Sequence, residues 1–435
     1  MKRVISLVFA ILIIISIIAL VPASAADFGC DILSSAGAVY LENLDTGAVV
    51  YEKSADSKVS PASTTKIMTY IIVAENVPDF DNTMVTITES ALSTLDPESS
   101  IMGLEYHMGE QFSVKDLLYG LMLPSGNDAA LVLADYVGHG VSGFVDMMNR
   151  KAAQLNCDST HFVNPHGLYN SQHYTTAKDL ATITKYAMTT KSFTEITSTA
   201  SYLPKGFSEK IKTSNFLIDS TQEDGKYYYQ YATGIKTGYT DEAGKCLVST
   251  ATKDNYNYLC VILGSPYSQV EQINYAMYDT IDFYDWAFNN IAYATLYSPE
   301  DKLGRAWVNN VWGARYVDLV PNTDIKCLLP KNYNKELVKA DISAEDEVFA
   351  PIKKGDKAGT LTVYYDGEKI GTCDIVCNED IDWHVTNYIA HVIFNFVRNH
   401  IVLIIVVVLL LAAVIIIVRT SRKRQKIEAE KRRYR

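Results

Sequence analysis

Nowhere in this sequence do two cysteines stand as a Cys-x-x-Cys pair, and its seven cysteines (Cys30, Cys157, Cys246, Cys260, Cys327, Cys373, Cys377) are odd in number and scattered. Zinc binding and thioredoxin-like redox chemistry lack the spacing they need. Free thiols are the expectation, although Cys246 and Cys260 fall on adjacent β-rich runs and could pair. Internal repeats and low-complexity segments are absent too. Charge is sparse, with Asp, Glu, Lys and Arg making up 20% of the 435 residues. It is also unevenly spread. The stretch from Arg419 to Arg435 sets nine basic residues against Glu428 and Glu430, a net +7. Removing that tail and Lys2 and Arg3 from the total of −11 leaves −20 on the body. Nucleic-acid phosphates need a basic surface, so nucleic acid is excluded as a partner.

Long hydrophobic runs occur only at the two ends. Met1-Lys2-Arg3 opens an apolar stretch from Val4 to Val21, followed by Pro22 and Ala23-Ser24-Ala25. A basic start, an apolar run and an Ala-x-Ala site make residues 1–25 an expected signal peptide, an uncleaved anchor helix being the alternative. Ile401 to Val418 is an unbroken run of 18 apolar residues. At helical rise it spans about 27 Å, enough for a hydrocarbon core. Basic flanks stay cytoplasmic, so residues 419–435 are expected inside and everything before residue 401 outside the cell. The aromatic, amphipathic stretch 382–400 reads as a membrane-surface helix or a plain linker.

Between the ends, a composition of 48% hydrophobic residues suits an ordered protein of about two domains. Gly37 to Glu42 and Ala48 to Lys53 flank Asp45-Thr46-Gly47 as a hairpin. Helical patterns run from Thr64 to Ala74, Val114 to Leu123, Asp128 to Val137, Phe144 to Leu155 and Thr176 to Met188. Strands are expected at Ile235 to Gly238, Lys245 to Thr252 and Tyr256 to Leu263, the last two joined at Asp254-Asn255, and a helix from Val270 to Asn290. Strands at both ends of one unit with helices between them predict an α/β fold, an antiparallel sheet covered by helices, over residues 26–294. Past residue 295 helix signals fade, and a small all-β domain is expected over 295–381.

Three short motifs follow in order: Ser63-Thr64-Thr65-Lys66, Ser125-Gly126-Asn127 and Lys236-Thr237-Gly238. Each alone is weak, since a helix-start serine, a surface lysine and a turn would produce them too. Together they describe one chemistry. A serine hydroxyl needs a base, and Lys66, one turn from Ser63 on a helix, serves only if burial or a nearby cation keeps it neutral. Lys236 would be that cation. The N–H groups of Ser63 and Tyr239 could form an oxyanion hole. Gly238 would let a substrate backbone lie against the strand, and Lys236 and Thr237 offer donors to a carboxylate. Ser125 would relay a proton while Asn127 holds the substrate amide.

These motifs, with Pro61-Ala62-Ser63-Thr64-Thr65-Lys66-Ile67-Met68-Thr69, Leu123-Pro124-Ser125-Gly126-Asn127-Asp128-Ala129, His166-Gly167-Leu168, Ala177-Lys178-Asp179-Leu180 and the stretch from Ala350 to Gly359, closely resemble the low-molecular-mass penicillin-binding proteins that act as D-alanyl-D-alanine carboxypeptidases. The resemblance spans roughly residues 35 to 380. It implies a penicilloyl-serine transferase (β-lactamase/transpeptidase-like) fold with a C-terminal β domain and one C-terminal transmembrane helix. It implies a catalytic Ser63 with Lys66 and Ser125, and substrate contacts at Asn127, Lys236, Thr237, Gly238 and Tyr239. Ser63 would cleave the D-Ala-D-Ala bond of peptidoglycan stem peptides and be acylated by β-lactams, with no metal or organic cofactor. His166 and Asp179 correspond to supports of the site's floor. The Lys- and Tyr-rich segment from Gly206 to Tyr231, with Lys226 and Tyr227 to Tyr229, has no assigned role. A serine β-lactamase would share the motifs, but it needs a deacylating glutamate that the loop His166 to Asn170 does not supply. Transpeptidase or endopeptidase action, and a non-catalytic wall-binding protein on the same fold, stay open.

Overall fold

The structure is a computed structural model that describes residues 28–268 and 273–433. The expected signal peptide, residues 1–25, lies outside them. The chain divides into two compact units, one running through Ala294 with Cys327–Glu336 and Tyr365–Lys369, the other formed by the remainder.

Five antiparallel strands form the sheet of the first unit, in the order Val49–Lys53, Ala38–Asn43, Tyr256–Ser265, Gly244–Lys253, Ala232–Thr240. Period-two alternation divides their side chains between two cores. Ala38, Tyr40, Cys246, Val248, Leu259, Val261 and Leu263 join one hydrophobic cluster, while Val39, Leu41, Leu247, Ala251, Tyr258, Cys260 and Ile262 join the other. Burial on both faces explains why these strands read as continuous apolar runs. It also separates Cys246 from Cys260 by the thickness of the sheet, and all seven cysteines are free.

The second cluster is closed by the helix Tyr275–Asn290 through Ala276, Met277, Phe283, Tyr284 and Ala287. Of the helix expected from Val270, residues 270–272 lie outside the described residues, and Ile273–Asn274 pairs with Tyr267–Ser268 as a two-residue ladder before the helix begins. The first cluster is built around the helix Lys66–Asn76, where Lys66 through Val73 are all buried. Its largely apolar run Ile67–Val73, broken by Thr69, belongs inside a globule. Around it lie Val114–Met122, Asn127–Gly138, Val141–Gln154 and Ala177–Met188. Ser113 and Thr176 cap two of them by accepting from the third residue on, the expected remedy for unpaired N-terminal amides. Asp254 and Asn255, both at positive φ (+52° and +65°), make the hairpin turn that matches strand twist.

The second unit contains a six-stranded sheet in the order Val338–Ala344, Lys357–Tyr365, Glu368–Cys377, Tyr316–Pro321, Gly304–Asn309, Glu347–Phe349. Its core includes Val308, Val317, Leu319, Leu361, Val363 and Ile375. The stretches expected as a surface helix and a separate span form one uninterrupted helix, Val385–Arg433. Within it Phe396–Ile427 is long and apolar enough to cross a membrane, and none of its most apolar window is buried in the protein.

Candidate active site

Ser63 sits in a four-residue 3-10 turn, Ala62–Thr65, that leads directly into the helix Lys66–Asn76. The turn is held from three sides. Ala62 is left-handed (φ +47°), and Thr64 and Thr65 donate their hydroxyls to the carbonyls of Pro61 and Ala62 at 2.7 and 2.8 Å. Val163 N–H donates to His173 Nδ1 (3.2 Å), so the ring carries its proton on Nε2 and donates it to Thr65 Oγ1 (2.8 Å). Burial and the charge of His161 push the His173 pKa down to about 4, keeping the ring neutral. Behind the turn, a Cβ at Gly167 (φ +93°) would stand 1.9 Å from the Ala62 carbonyl oxygen, so only glycine fits.

One turn on, Lys66 is completely buried. Its Nζ lies 3.0 Å from Ser63 Oγ, 2.6 Å from Asn127 Oδ1 and 2.9 Å from the His166 carbonyl. Burial, reinforced by the charge of Lys236 and opposed by Asp128, holds its pKa well below that of an ordinary lysine. A neutral amine has two N–H donors and one lone pair. The carbonyl oxygens of Asn127 and His166 only accept, so they use both donors and leave the lone pair for the Ser63 hydroxyl. His166 contributes its backbone here. Its ring accepts from Leu168 N–H at 3.2 Å, and burial and Lys66 push its pKa down to about 3. Asp179 lies further off, accepting from Ser159 N–H and Thr160 Oγ1.

Ser125 occupies the bend between Val114–Met122 and Asn127–Gly138 at φ +67°. Its buried Oγ has no hydrogen-bond partner among the described residues. Buried hydroxyls are almost always paired, so an orphan at this place points to a ligand. Next to the motif, buried Asp128 accepts from the backbone N–H groups of Met102, Gly103, Leu104 and Ala129 at 2.8–3.0 Å. Together with the bond from Asn127 N–H to the Ser100 carbonyl (2.8 Å), this pins the loop at residues 100–104 to the second motif.

The third motif lies on the edge strand Ala232–Thr240. A Cβ at Gly238 would approach Ser63 N to 2.9 Å, Ala62 Cβ to 3.0 Å and the Pro61 carbonyl to 3.1 Å. The strand is therefore pressed against the Ser63 turn at a residue without a side chain. Lys236 is buried, with its pKa lowered to about 7 by lost hydration and its Nζ donating to the Thr237 carbonyl at 3.0 Å. Thr237 Oγ1 meets Ser214 Oγ at 2.6 Å. Tyr239 turns its ring to solvent, and its hydroxyl donates to Asp241 at 2.7 Å. A cleft of about 300 Å³ opens over Ser63, Ser125, Thr237, Gly238 and Tyr239, while Lys66, Asn127 and Lys236 are buried and do not line it.

Sequence patterns missed several of its neighbours. Ser214 and Phe216 line the cleft, although the segment carrying them drew notice for Lys226 and the tyrosines. Tyr227 and Tyr229 are instead core residues, the latter donating to Asp285 at 2.7 Å. Lys245, Ser100 and Asn274 also line the cleft. No local spacing marks them, because each arrives there by tertiary folding alone.

A serine–lysine pair set beneath the edge of an antiparallel sheet defines a class, the serine acyl-transfer enzymes. Residues 28–267 match the family model described as D-alanyl-D-alanine carboxypeptidase, and residues 294–382 match the C-terminal domain of penicillin-binding protein 5. The D-alanyl-D-alanine carboxypeptidase DacF of Bacillus subtilis (strain 168) is 31% identical over 349 residues, covering 79% of this chain and 85% of the relative. Among solved structures, penicillin-binding protein 5 from Haemophilus influenzae superposes with a TM-score of 0.58 at 27% identity, covering 81% of this chain and 99% of the other. A variant of the Streptomyces K15 DD-transpeptidase gives a TM-score of 0.53 at 31% identity, covering 60% of this chain and all of the other. The chain belongs to the D-alanyl-D-alanine carboxypeptidase family.

Proposed function

We propose that this chain is a membrane-anchored serine-type carboxypeptidase that removes the terminal D-alanine from peptidoglycan stem peptides through an acyl-Ser63 intermediate. The observation that carries the reading is the fully buried Lys66 Nζ, 3.0 Å from Ser63 Oγ with its two other contacts on oxygen acceptors. Neutral Lys66 takes the Ser63 proton as Oγ attacks the penultimate D-alanine carbonyl. The proton passes through Ser125, whose hydroxyl is unpartnered, to the leaving D-alanine nitrogen. Amides of the Ser63 turn and of Tyr239, brought together at Gly238, stabilise the oxyanion. Lys236 and Thr237 hold the terminal carboxylate, and Asn127 the substrate amide. Water then releases the trimmed peptide. β-Lactams, which offer a strained amide and a carboxylate in the same arrangement, acylate the same serine.

The helix Val385–Arg433 supports anchoring. The basic residues after it favour a tail on the inner side of the membrane and a catalytic unit outside it. A second outcome for the acyl-enzyme, transfer to an amine, is favoured by the 31% identity to a structure described as a DD-transpeptidase. The test is fluorescent penicillin labelling of the full chain in detergent beside Ser63→Ala, with D-alanine release from a D-Ala-D-Ala peptide measured with and without an added amino-acid acceptor. Label and D-alanine from the wild type and neither from Ser63→Ala are expected. A folded wild type that takes no label refutes the reading, and cross-linked product in place of free acid favours transpeptidation.

A further inference from the structure

One cation on the rim of the cleft takes no part in the reaction above. Lys245 stands near the start of the strand Gly244–Lys253, directly opposite Tyr239 in register, so the two side chains share a face of the sheet. Its ammonium lies 4.0 Å from the centroid of the Tyr239 ring and 4.4 Å from that of Tyr267. The two rings meet each other at 6.2 Å and 65°. Aromatic faces attract and position a cation without neutralising it. Burial pushes the Lys245 pKa down, and no carboxylate among the described residues acts against it. Among the described residues, the cleft lining includes no aspartate or glutamate. In a body that carries a large negative charge, a half-dehydrated lysine held in one place at the mouth of the cleft, with no acidic residue among the described residues that line it, suits an anion. Its three N–H donors suit a carboxylate. It is not a spare base, because Lys66 already holds that position against Ser63.

We infer that Lys245 is a specificity-determining residue that receives a carboxylate of the peptide substrate, its ammonium fixed in the cleft by Tyr239 and Tyr267. The inference rests on the carboxypeptidase reading and adds to it. Stem peptides present a carboxylate at two kinds of place, the C-terminus and the end of an acidic side chain. Lys245 is two residues along the register from Thr237, so its ammonium is a donor separate from the Thr237–Ser214 hydroxyl pair.

The test compares the full chain in detergent with Lys245→Gln and Lys245→Arg. Two peptides ending in D-Ala-D-Ala are used, differing only in a side-chain carboxylate on one and its carboxamide on the other. Lys245→Gln should raise KM by roughly tenfold, the effect of losing one charge-assisted hydrogen bond. Lys245→Arg should recover most of the loss. A loss confined to the carboxylate peptide assigns Lys245 to the side chain, and an equal loss on both assigns it to the C-terminus. An unchanged KM on both peptides overturns the inference, as does a fall in kcat that Lys245→Arg fails to recover. Labelling at saturating fluorescent penicillin is run on every variant. A wild type that labels and releases D-alanine, with variants of unaltered KM, sinks this inference alone, whereas an unlabelled wild type sinks the carboxypeptidase reading beneath it.

Discussion

Replacing Lys236 with methionine should make the fold more stable at neutral pH while abolishing acylation. Lys236 is fully buried, and its pKa falls from an ordinary 10.5 to about 7 because the interior hydrates its charge poorly. In the unfolded chain it titrates near the ordinary value. Between the two values the unfolded state binds more protons than the native state, so stability rises with pH across that window, and the whole cost is felt below about pH 7. At about 1.4 kcal/mol per pH unit the gap corresponds to roughly 5 kcal/mol. Methionine fills similar space without charge. It forfeits the Nζ bond to the Thr237 carbonyl at 3.0 Å, worth about 1 kcal/mol. Allowing for relaxation around the new side chain, we expect a gain of about 2–4 kcal/mol near pH 7 that fades towards pH 10. Urea unfolding of both proteins at several pH values between those limits reads the difference, and penicillin labelling reads activity. A variant no more stable than wild type near pH 7, or a gain that does not shrink as pH rises, would refute the view that a dehydrated lysine strains this site.

Gly238→Ala should slow acylation about tenfold or more, since its Cβ would meet backbone atoms of Ser63 and Pro61 at 2.9 and 3.1 Å and shift the nucleophile by a fraction of an ångström. Stopped-flow labelling with penicillin measures this, and a wild-type rate would show that the close approach is not needed. Asp128→Asn should destabilise the fold by about 3 kcal/mol and lower kcat, because an amide cannot accept from all four backbone N–H groups it faces. A melting temperature equal to wild type would contradict that account.

The sequence made the three motifs legible because each lies within one local element. Ser63 and Lys66 share a turn, Ser125 through Asn127 form the bend before a helix, and Lys236 through Gly238 run along one strand. The sheet was legible too, through the Asp254-Asn255 turn and the alternation of the strands. Contacts made by distant parts of the chain were not. His173 reaches Thr65 across 108 residues and Ser214 reaches Thr237 across 23, and no periodicity records such meetings. Lys245 is one lysine among many until Tyr239 and Tyr267 close around it. Cys246 and Cys260 looked like candidates for a bond because neighbouring strands were legible while the facing of their side chains was not. The continuity of Val385–Arg433 was missed for the opposite reason. A change from mixed to wholly apolar composition near Ile401 looks like a boundary, but helical hydrogen bonding passes through it undisturbed.

The unpartnered Ser125 hydroxyl sets a limit on how this enzyme could escape β-lactams. A substitution that gave that oxygen a partner within the protein would make the empty cleft more comfortable and bind the drug less well. On the proposed mechanism it would equally weaken reaction with the natural peptide, which relies on the same hydroxyl. On that reading, resistance by remodelling around Ser125 is tied to loss of turnover.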